Sequence, residues 1–338
     1  MGLRWGRPDQ DRQGAVSKEG YDTIRREQAE TMARRNINAI HGWIILDKPK
    51  GMTSAQAVGA VKRRLCAKKA GHAGTLDPLA TGLLPIALGE ATKTVPFVID
   101  GLKGYRFAVK WGVETDTDDG EGQAAQTSDR RPARQEIEAI LPQFTGEIMQ
   151  VPPQFSAVKV DGARAYDLAR DGETVALNAR PVFIKRLEIA DISDPNLCVF
   201  EAECGKGTYV RALARDIGRQ LGCFGHVAEL RRTRVGAFTE NDTISLDKLD
   251  DFSHSAVGHE AYCNLVKPVE TALDDIPALA ISGTDAQRLK RGQAVLLRGR
   301  DAPILKGPVY AMSRGTLVAV GEVRRGELRP TRVFNLPG

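Results

Sequence analysis

The sequence has little cysteine and no long apolar run. Its five cysteines include no C-x-x-C pair and are too sparse for a disulfide framework in 338 residues, so reduced thiols are expected. No stretch approaches the roughly 20 apolar residues of a membrane helix, and the N-terminus lacks the apolar segment of a secretion signal. These absences argue against a disulfide-rich secreted domain and a helical membrane protein, and they predict a cytoplasmic location.

Motifs for common cofactors are also absent. The glycine cluster 205–208 lacks the upstream glycine of a phosphate-binding loop, and 71–74 lacks the G-x-G start of a dinucleotide fingerprint. The acidic stretch 116–119 could begin a calcium loop, but its twelfth position is Thr127 rather than glutamate, so a solvated turn is favoured. The histidines show no zinc spacing. The sequence therefore predicts neither a metal nor an organic cofactor.

What is present is the composition of a folded soluble protein of about two domains. Apolar residues make up 42% and charged residues 27%, and the net charge of +5 leans modestly toward a nucleic-acid partner. Residues 1–40 are polar and charge-rich, which predicts a mobile tail. Residues 41–274 are expected to form the main domain. Residues 275–338 alternate in short runs rich in Gly, Val, Leu and Arg, which predicts a small, basic, β-rich module.

Local patterns predict several elements. Residues 42–46 form a continuous apolar run typical of a buried strand, and Thr53 or Ser54 can cap a helix that has apolar residues at positions 57, 58, 61 and 65. The alternation over 105–111 predicts a strand with two different faces. The remaining predictions are strands at 182–189 and 197–204 and helices at 90–99, 134–141, 163–170 and 209–221.

A loop at 71–82, rich in glycine and punctuated by proline, places one acid at its centre. Pro78 restricts the preceding Asp77 to an extended backbone and keeps it out of a helix. A carboxylate framed by residues that fix backbone shape suits catalysis, whereas Asp-Pro is also a common way to start a turn. The spacing alone leaves both interpretations open.

The loop resembles the signature of the TruB family, the bacterial synthases of pseudouridine 55 in tRNA. Further segments resemble family motifs in the same order along the chain, over roughly residues 42–240. They are 46–54, 103–106, 115–118, 152–159 with Gly162, Arg164 and Tyr166, then 207–211 and 230–232. The resemblance implies an α+β fold with a mixed, mainly antiparallel sheet, flanking helices and a central cleft. It also implies that the small C-terminal module is a PUA-like RNA-binding domain.

The resemblance implies a reaction that needs no cofactor: uracil leaves C1′ of the ribose, rotates, and rejoins through C5. Asp77 is then the essential carboxylate, either as a nucleophile or as a base at C2′, and Arg211 pairs with it. Tyr105 stacks on the target base. The substrate-binding residues are His72, which enters the T-loop, Tyr209, which packs around Arg211, Leu230 in the uracil pocket, and Lys48, which supports the loop.

Clustered cations predict contacts with the RNA backbone, since they dominate affinity for nucleic acids. The residues assigned to these contacts are Arg63, Arg64, Lys68, Arg231 and Arg232. The predicted partner is tRNA, bound by a monomer without an obligate protein partner. Three alternatives remain open: an RNA-guided synthase acting on ribosomal RNA, a tRNA-folding chaperone, and a glycosidase, which would need a second carboxylate near Asp77.

Overall fold

The computed structural model describes residues 40–156, 158–160, 163–164, 176–254, 265–297 and 307–337. The expected tail at 1–40 therefore lies outside the described residues, apart from Ile40. The strands are β1 (Gly42–Lys48), β2 (Ala70–His72), β3 (Thr81–Leu88), β4 (Lys103–Trp111), β5 (Val113–Thr115), β6 (Ala124–Thr127), β7 (Gly146–Gln150), β8 (Lys159–Val160), β9 (Ala163–Arg164), β10 (Arg180–Asp194), β11 (Leu197–Cys204), β12 (Gly225–Val235), β13 (Phe238–Thr239), β14 (Ala278–Ala280), β15 (Val295–Leu296), β16 (Gly307–Ser313), β17 (Thr316–Arg324) and β18 (Glu327–Val333).

The helices join and cover these strands. The α-helices are α1 (Ser54–Arg64), α2 (Val95–Asp100), α3 (Arg134–Ile140), α4 (Val210–Gln220), α5 (Leu246–His254) and α6 (Gly283–Lys290). Short 3₁₀ helices span Gly89–Lys93, Leu141–Phe144, Glu240–Asp242 and Val269–Leu273. No helix in the described part of the chain is long and apolar enough to cross a membrane.

The larger sheet joins strands that are distant in sequence. Its order is β1-β3-β12-β4-β11-β10-β7, with β2 also pairing β3 and β13 also pairing β12. The pairing of β12 with β3 is parallel, and the other pairings of this sheet are antiparallel. The predicted α+β class with a mixed, mainly antiparallel sheet is confirmed.

Residues 43–46 of β1 form an unbroken apolar run because this part of the strand is buried on both faces. Ile44 and Leu46 join the core that α1 and α4 form with one face of the sheet. Trp43 and Ile45 point the other way, into a second core. Successive strand residues face opposite sides, so a strand between two cores has no polar face to present.

The C-terminal region forms a separate five-stranded sheet with the order β14-β16-β17-β18-β15, as the predicted β-rich module requires. It packs against the larger domain through the second core, where Phe334 is fully buried. Beside that ring, Lys93 donates to the carbonyl of Val333 at 2.7 Å, and the N–H of Asn335 donates to Glu90 at 2.8 Å. These contacts join the end of the chain to the segment that follows β3.

Most of the predicted elements are confirmed, and the exceptions have local causes. Thr53 caps α1 through a capping box, and Tyr209 is the residue before α4. The helix predicted at 90–99 is instead the 3₁₀ helix Gly89–Lys93 followed by α2, where Pro96 near the start lacks an N–H. The helix predicted at 163–170 is wrong at its start, which is strand β9, and residues 165–170 lie outside the described residues.

Candidate active site

The loop between β2 and β3 turns sharply at Asp77. The N–H of Ala80 donates to the carbonyl of Asp77 at 3.1 Å, and Gly74 has a φ of +100°, which favours glycine. The side chain of Asp77 remains 35% exposed, so it is open to an incoming molecule. The loop therefore presents one accessible carboxylate from a turn of defined shape.

Three buried polar side chains, those of Ser54, Lys48 and Arg232, form hydrogen bonds with the backbone of this loop. The hydroxyl of Ser54, at the start of α1, accepts from the N–H of Leu76 at 2.8 Å and donates to its carbonyl at 3.1 Å. The ammonium of Lys48 donates to the carbonyl of Pro78 at 3.4 Å. Arg232 supplies the third set of bonds. Because buried polar groups are costly to leave unpaired, these bonds restrict the loop to one conformation.

Lys48 lies inside the protein beneath Asp77. Its ammonium also donates to the carbonyl of Met52 at 2.7 Å, and its side chain is fully buried. Burial lowers its pKa from 10.5 to about 8, although the negative charge of Asp77 acts in the opposite direction. This position agrees with the predicted support of the loop and leaves no surface of Lys48 for a base.

The lowered pKa of Lys48 predicts a pH-dependent contribution to stability. The unfolded chain binds the additional proton between about pH 8 and 10.5, so raising the pH through this window favours the folded state. Relative to Lys48→Met, the wild-type protein should gain about 2 kcal/mol of unfolding free energy from pH 8 to pH 10. Urea unfolding at both pH values measures the difference, with Lys50→Met as an exposed control. A pH-independent difference would contradict this assignment.

Arg232 is not placed to contact the RNA backbone, and that expectation is corrected. Its side chain is 1% exposed, and it donates to the carbonyls of Leu83 at 2.8 Å, Gly74 at 3.1 Å and Thr75 at 3.4 Å. On β12 the side chains alternate, so Arg231 points outward while Arg232 points into the protein. Arg232 thus supports the loop that carries Asp77.

Arg211 pairs with Asp77, as the resemblance implied. Arg211 lies in the first turn of α4, and its Nε donates to Oδ2 of Asp77 at 2.9 Å. Its two other nitrogens donate to the carbonyls of Thr117 and Phe155, both at 2.9 Å. The side chain of Arg211 is only 6% exposed, against 35% for Asp77. The guanidinium is therefore held by the protein, and its Nε is aimed at the carboxylate.

The acidic stretch 116–119 was predicted to be a solvated turn, but two of its acids are buried. Asp118 and Asp119 are buried, and Nη1 of Arg211 lies 3.6 Å from Oδ2 of Asp119. Burial raises the pKa of Asp118 to about 6, against the effect of Arg215 and then Arg211. The sequence signal was limited to the spacing of Arg211, Arg215 and Arg219, which places them on one helical face without identifying the acids they contact.

Two of the predicted substrate-contacting side chains, Tyr105 and Tyr209, are affected by the charge of Asp77. Tyr105 on β4 lies opposite Arg232 on β12, and Leu230 is buried opposite Phe107 on the same pair of strands. Burial raises the pKa of Tyr105, and the negative charge of Asp77 contributes to the increase. The pKa of Tyr209 is raised by burial, and Asp77 again contributes. The two tyrosines thus lie within electrostatic reach of the carboxylate.

His72 ends the strand before the loop, whereas Tyr209 precedes α4. His72 in β2 is partly buried, and burial together with the positive charge of Arg232 lowers its pKa, so the neutral ring is favoured near pH 7. A neutral ring is suited to stacking. The backbone of Tyr209 makes two hydrogen bonds with the side-chain amide of Gln150, at 2.8 and 3.1 Å. Gln150 was not predicted, and it fixes the start of α4 and therefore Arg211.

Of the other residues predicted to contact the RNA backbone, two are exposed and two are already paired with acids. Arg63 and Lys68 are exposed near the end of α1. Arg64 makes two bonds to Asp250, at 2.6 and 2.7 Å, and Arg231 pairs with Asp47 and Glu240. A phosphate would therefore have to compete with these acids for Arg64 and Arg231.

Two family models match adjacent segments of this chain, and related proteins match most of its length. Residues 62–210 match the model described as the N-terminal domain of TruB family pseudouridylate synthase, and residues 211–274 match the C-terminal domain of tRNA pseudouridylate synthase B. A tRNA pseudouridine synthase B from Bradyrhizobium diazoefficiens is 60% identical over 318 residues, covering 94% of this chain and 92% of the relative. One from Brucella ovis is 52% identical over 321 residues, covering 90% and 99%.

Solved structures share the architecture. An H/ACA RNP bound to a substrate RNA containing 2′-deoxyuridine has a chain with a TM-score of 0.69 and 26% identity, covering 88% of this chain and 86% of that one. The archaeal box H/ACA sRNP Nop10-Cbf5 complex gives a TM-score of 0.67 and 28% identity, with coverage of 90% and 89%. The arrangement of sheet and helices is therefore shared with proteins of low sequence identity.

Proposed function

The chain belongs to the TruB family of pseudouridylate synthases, and from this we propose that it isomerises uridine 55 in the T-loop of tRNA to pseudouridine. The observation that carries the proposal is the accessible carboxylate of Asp77 with Nε of Arg211 held 2.9 Å away. An adjacent guanidinium favours the ionised form of a carboxylate. The two residues thus offer a fixed anion to a substrate.

The reaction breaks the bond between N1 of uracil and C1′ of the ribose and forms a bond between C5 and C1′. The proton leaves C5, and N1 ends protonated, so atoms and charge balance without an added reactant. Positive charge develops at C1′ as the first bond breaks, and the anionic Asp77 stabilises it. Asp77 then acts either as a nucleophile at C1′ or as a base at C2′.

The target base must leave the folded T-loop before it can reach Asp77. Extruding a base costs a few kcal/mol of stacking, which favours a side chain that fills the vacated position. We assign this role to His72, whose neutral ring can stack on bases. Tyr105 stacks on the extruded uracil, and Leu230 lines its pocket, since both lie on neighbouring strands beside the loop.

We propose that the protein binds tRNA as a cytoplasmic monomer without a cofactor. Arg63 and Lys68 expose their charges near the end of α1. Arg64 and Arg231 contribute after exchanging their acidic partners for phosphates. The C-terminal sheet, assigned to a PUA-like domain at 275–338, extends the basic surface with residues such as Arg329.

The proposal is tested with purified protein and an unmodified tRNA transcript that carries tritium at C5 of its uracils. The wild-type protein should release one equivalent of tritium per tRNA without a cofactor, and a transcript with cytidine at position 55 should release none. Folded protein that binds tRNA but releases no tritium would refute the proposal.

A guided synthase is the second candidate because the similar solved structures come from H/ACA particles. The same assay separates the two, since a guided enzyme would modify its target only after guide RNA and protein partners are added. A chaperone would accelerate folding of tRNA without releasing tritium. A glycosidase would release free uracil, which chromatography of the products detects.

A further inference from the structure

A second buried arginine lies one helical turn after Arg211 on α4. Arg215 is 7% exposed, and its Nη1 donates to Oδ2 of Asp118 at 2.9 Å. Its Nη2 donates to the carbonyl of Val151 at 2.8 Å, and its Nε donates to the partly exposed Asp216 at 2.8 Å. The guanidinium thus has a partner on each of its three nitrogens, although it does not contact Asp77 itself.

Arg211 and Arg215 bind the same two segments of the chain. The first segment is the turn after β5, where Arg211 holds the carbonyl of Thr117 and Arg215 holds the carboxylate of Asp118. The second segment follows β7, where the partners are the carbonyls of Phe155 and Val151. Residues four apart lie above one another on a helix, so the two guanidiniums form adjacent layers between the segments.

The carboxylate of Asp118 interacts electrostatically with both Arg215 and Arg211. Asp118 is buried, so its ionised form needs a nearby cation. The cations of α4 that act on it are Arg215 first, then Arg211 and Arg219, and the acid Glu114 faces it from its own segment. If Arg215 were lost, Asp118 would attract Arg211. That attraction would compete with the bond between Arg211 and Asp77.

We propose that Arg215 is a positioning residue for the isomerisation: by neutralising Asp118 and holding the Val151 carbonyl, it leaves Arg211 free to orient Asp77. The inference rests on the proposed function, because its effect is read in the rate of that reaction. A displacement of about 1 Å between reacting groups can lower a rate by about 100-fold, so a residue without contact to the substrate can have a large effect.

The test compares Arg215→Gln with the double variant Arg215→Gln/Asp118→Asn. Single-turnover tritium release is measured with enzyme in saturating excess, and tRNA affinity is measured separately by filter binding. Arg215→Gln should lower the rate constant by roughly 10- to 100-fold and change the affinity by less than about threefold. Removing the unpaired acid in the double variant should recover at least about threefold of the rate. Asn suits this position because Asp118 has a φ of +61°.

Arg219→Gln is the matched control. Arg219 lies one turn further along α4 and also binds an acid, with two bonds of 2.7 Å to Glu114, but its side chain is 53% exposed. We expect its rate constant to stay within about twofold of the wild-type value. Thermal melting of each variant accompanies the rates, so that a loss of folded protein is seen directly.

The outcomes separate the inference from the proposed function. An inactive wild-type protein would refute the proposed function itself. An active wild-type protein with unchanged Arg215→Gln would refute only the positioning role. The positioning role is also refuted if the double variant is no faster than Arg215→Gln. It is refuted as well if the rates of Arg215→Gln and Arg219→Gln fall in parallel with their melting temperatures, because a purely structural role predicts that result.

Discussion

Replacing Asp77 with asparagine should lower the rate of pseudouridine formation by roughly 1,000-fold or more, because Asp77 is the proposed catalytic carboxylate and the loss of such a residue has effects of this size. Asparagine keeps the shape of the side chain and can still accept from Nε of Arg211. It lacks the negative charge that we propose stabilises C1′, and it cannot serve as a nucleophile or base. Single-turnover tritium release from the tRNA transcript measures the loss.

The control for Asp77→Asn is Asp129→Asn, a change of the same size and charge at an exposed position. This control should keep wild-type activity. Binding of tRNA by Asp77→Asn should stay close to that of the wild-type protein, since one carboxylate contributes little to affinity for a polyanion. Retention of more than about a tenth of the wild-type rate by Asp77→Asn would move the essential carboxylate elsewhere.

Gly82→Ala should destabilise the protein by about 3 kcal/mol, from strain of the backbone and overpacking together. Gly82 has a φ of +94°, and a Cβ there would lie 2.4 Å from the carbonyl oxygen of Arg232. Gly82 pairs with Arg232 where β3 and β12 run parallel, so the clash is with backbone, which cannot rotate away. Urea unfolding of the purified variant measures the change.

Gly146→Ala separates the two causes. Gly146 has a similar φ of +90°, but a Cβ there would meet nothing within 4 Å. It should therefore cost only the strain of the backbone, about 1 to 2 kcal/mol. Equal losses for the two variants would mean that β3 and β12 can separate without cost. Because Arg232 holds the loop, Gly82→Ala should also slow tritium release, whereas Gly146→Ala should leave it close to the wild-type rate.

The two neighbouring arginines of β12 show that a run of cations in the sequence does not distinguish an exposed arginine from a buried one. Arg231 and Arg232 were grouped as phosphate contacts because they are adjacent cations. Strand alternation places them on opposite faces, and the structure buries Arg232 beneath the loop. A strand prediction for 225–235 would have separated them, but that segment mixes charged and apolar residues without a clear period.

The burial of Asp118 and Asp119 could not be predicted because their partners are distant in the sequence. Their charges suggested solvent, since unpaired acids are almost never buried. The arginines that neutralise them lie about a hundred residues away on α4, and Arg211 and Asp77 themselves are separated by 134 residues. The spacing of Arg211, Arg215 and Arg219 predicts that they share a helical face, but it does not identify what that face contacts.

The sequence by itself determined the local elements and the chemistry of the loop. Strand β1, helix α1 with its Thr53 cap, strand β4 and helix α4 follow from apolar periodicity and capping, which act within a few residues. The family motifs predicted Asp77 as the catalytic carboxylate and Arg211 as its partner, and the structure places the two side chains 2.9 Å apart. Tertiary structure alone decided which charges are buried together, because burial depends on desolvation and on partners that folding brings from distant segments. Lys48, Asp118, Arg215 and Arg232 acquire their roles in this way.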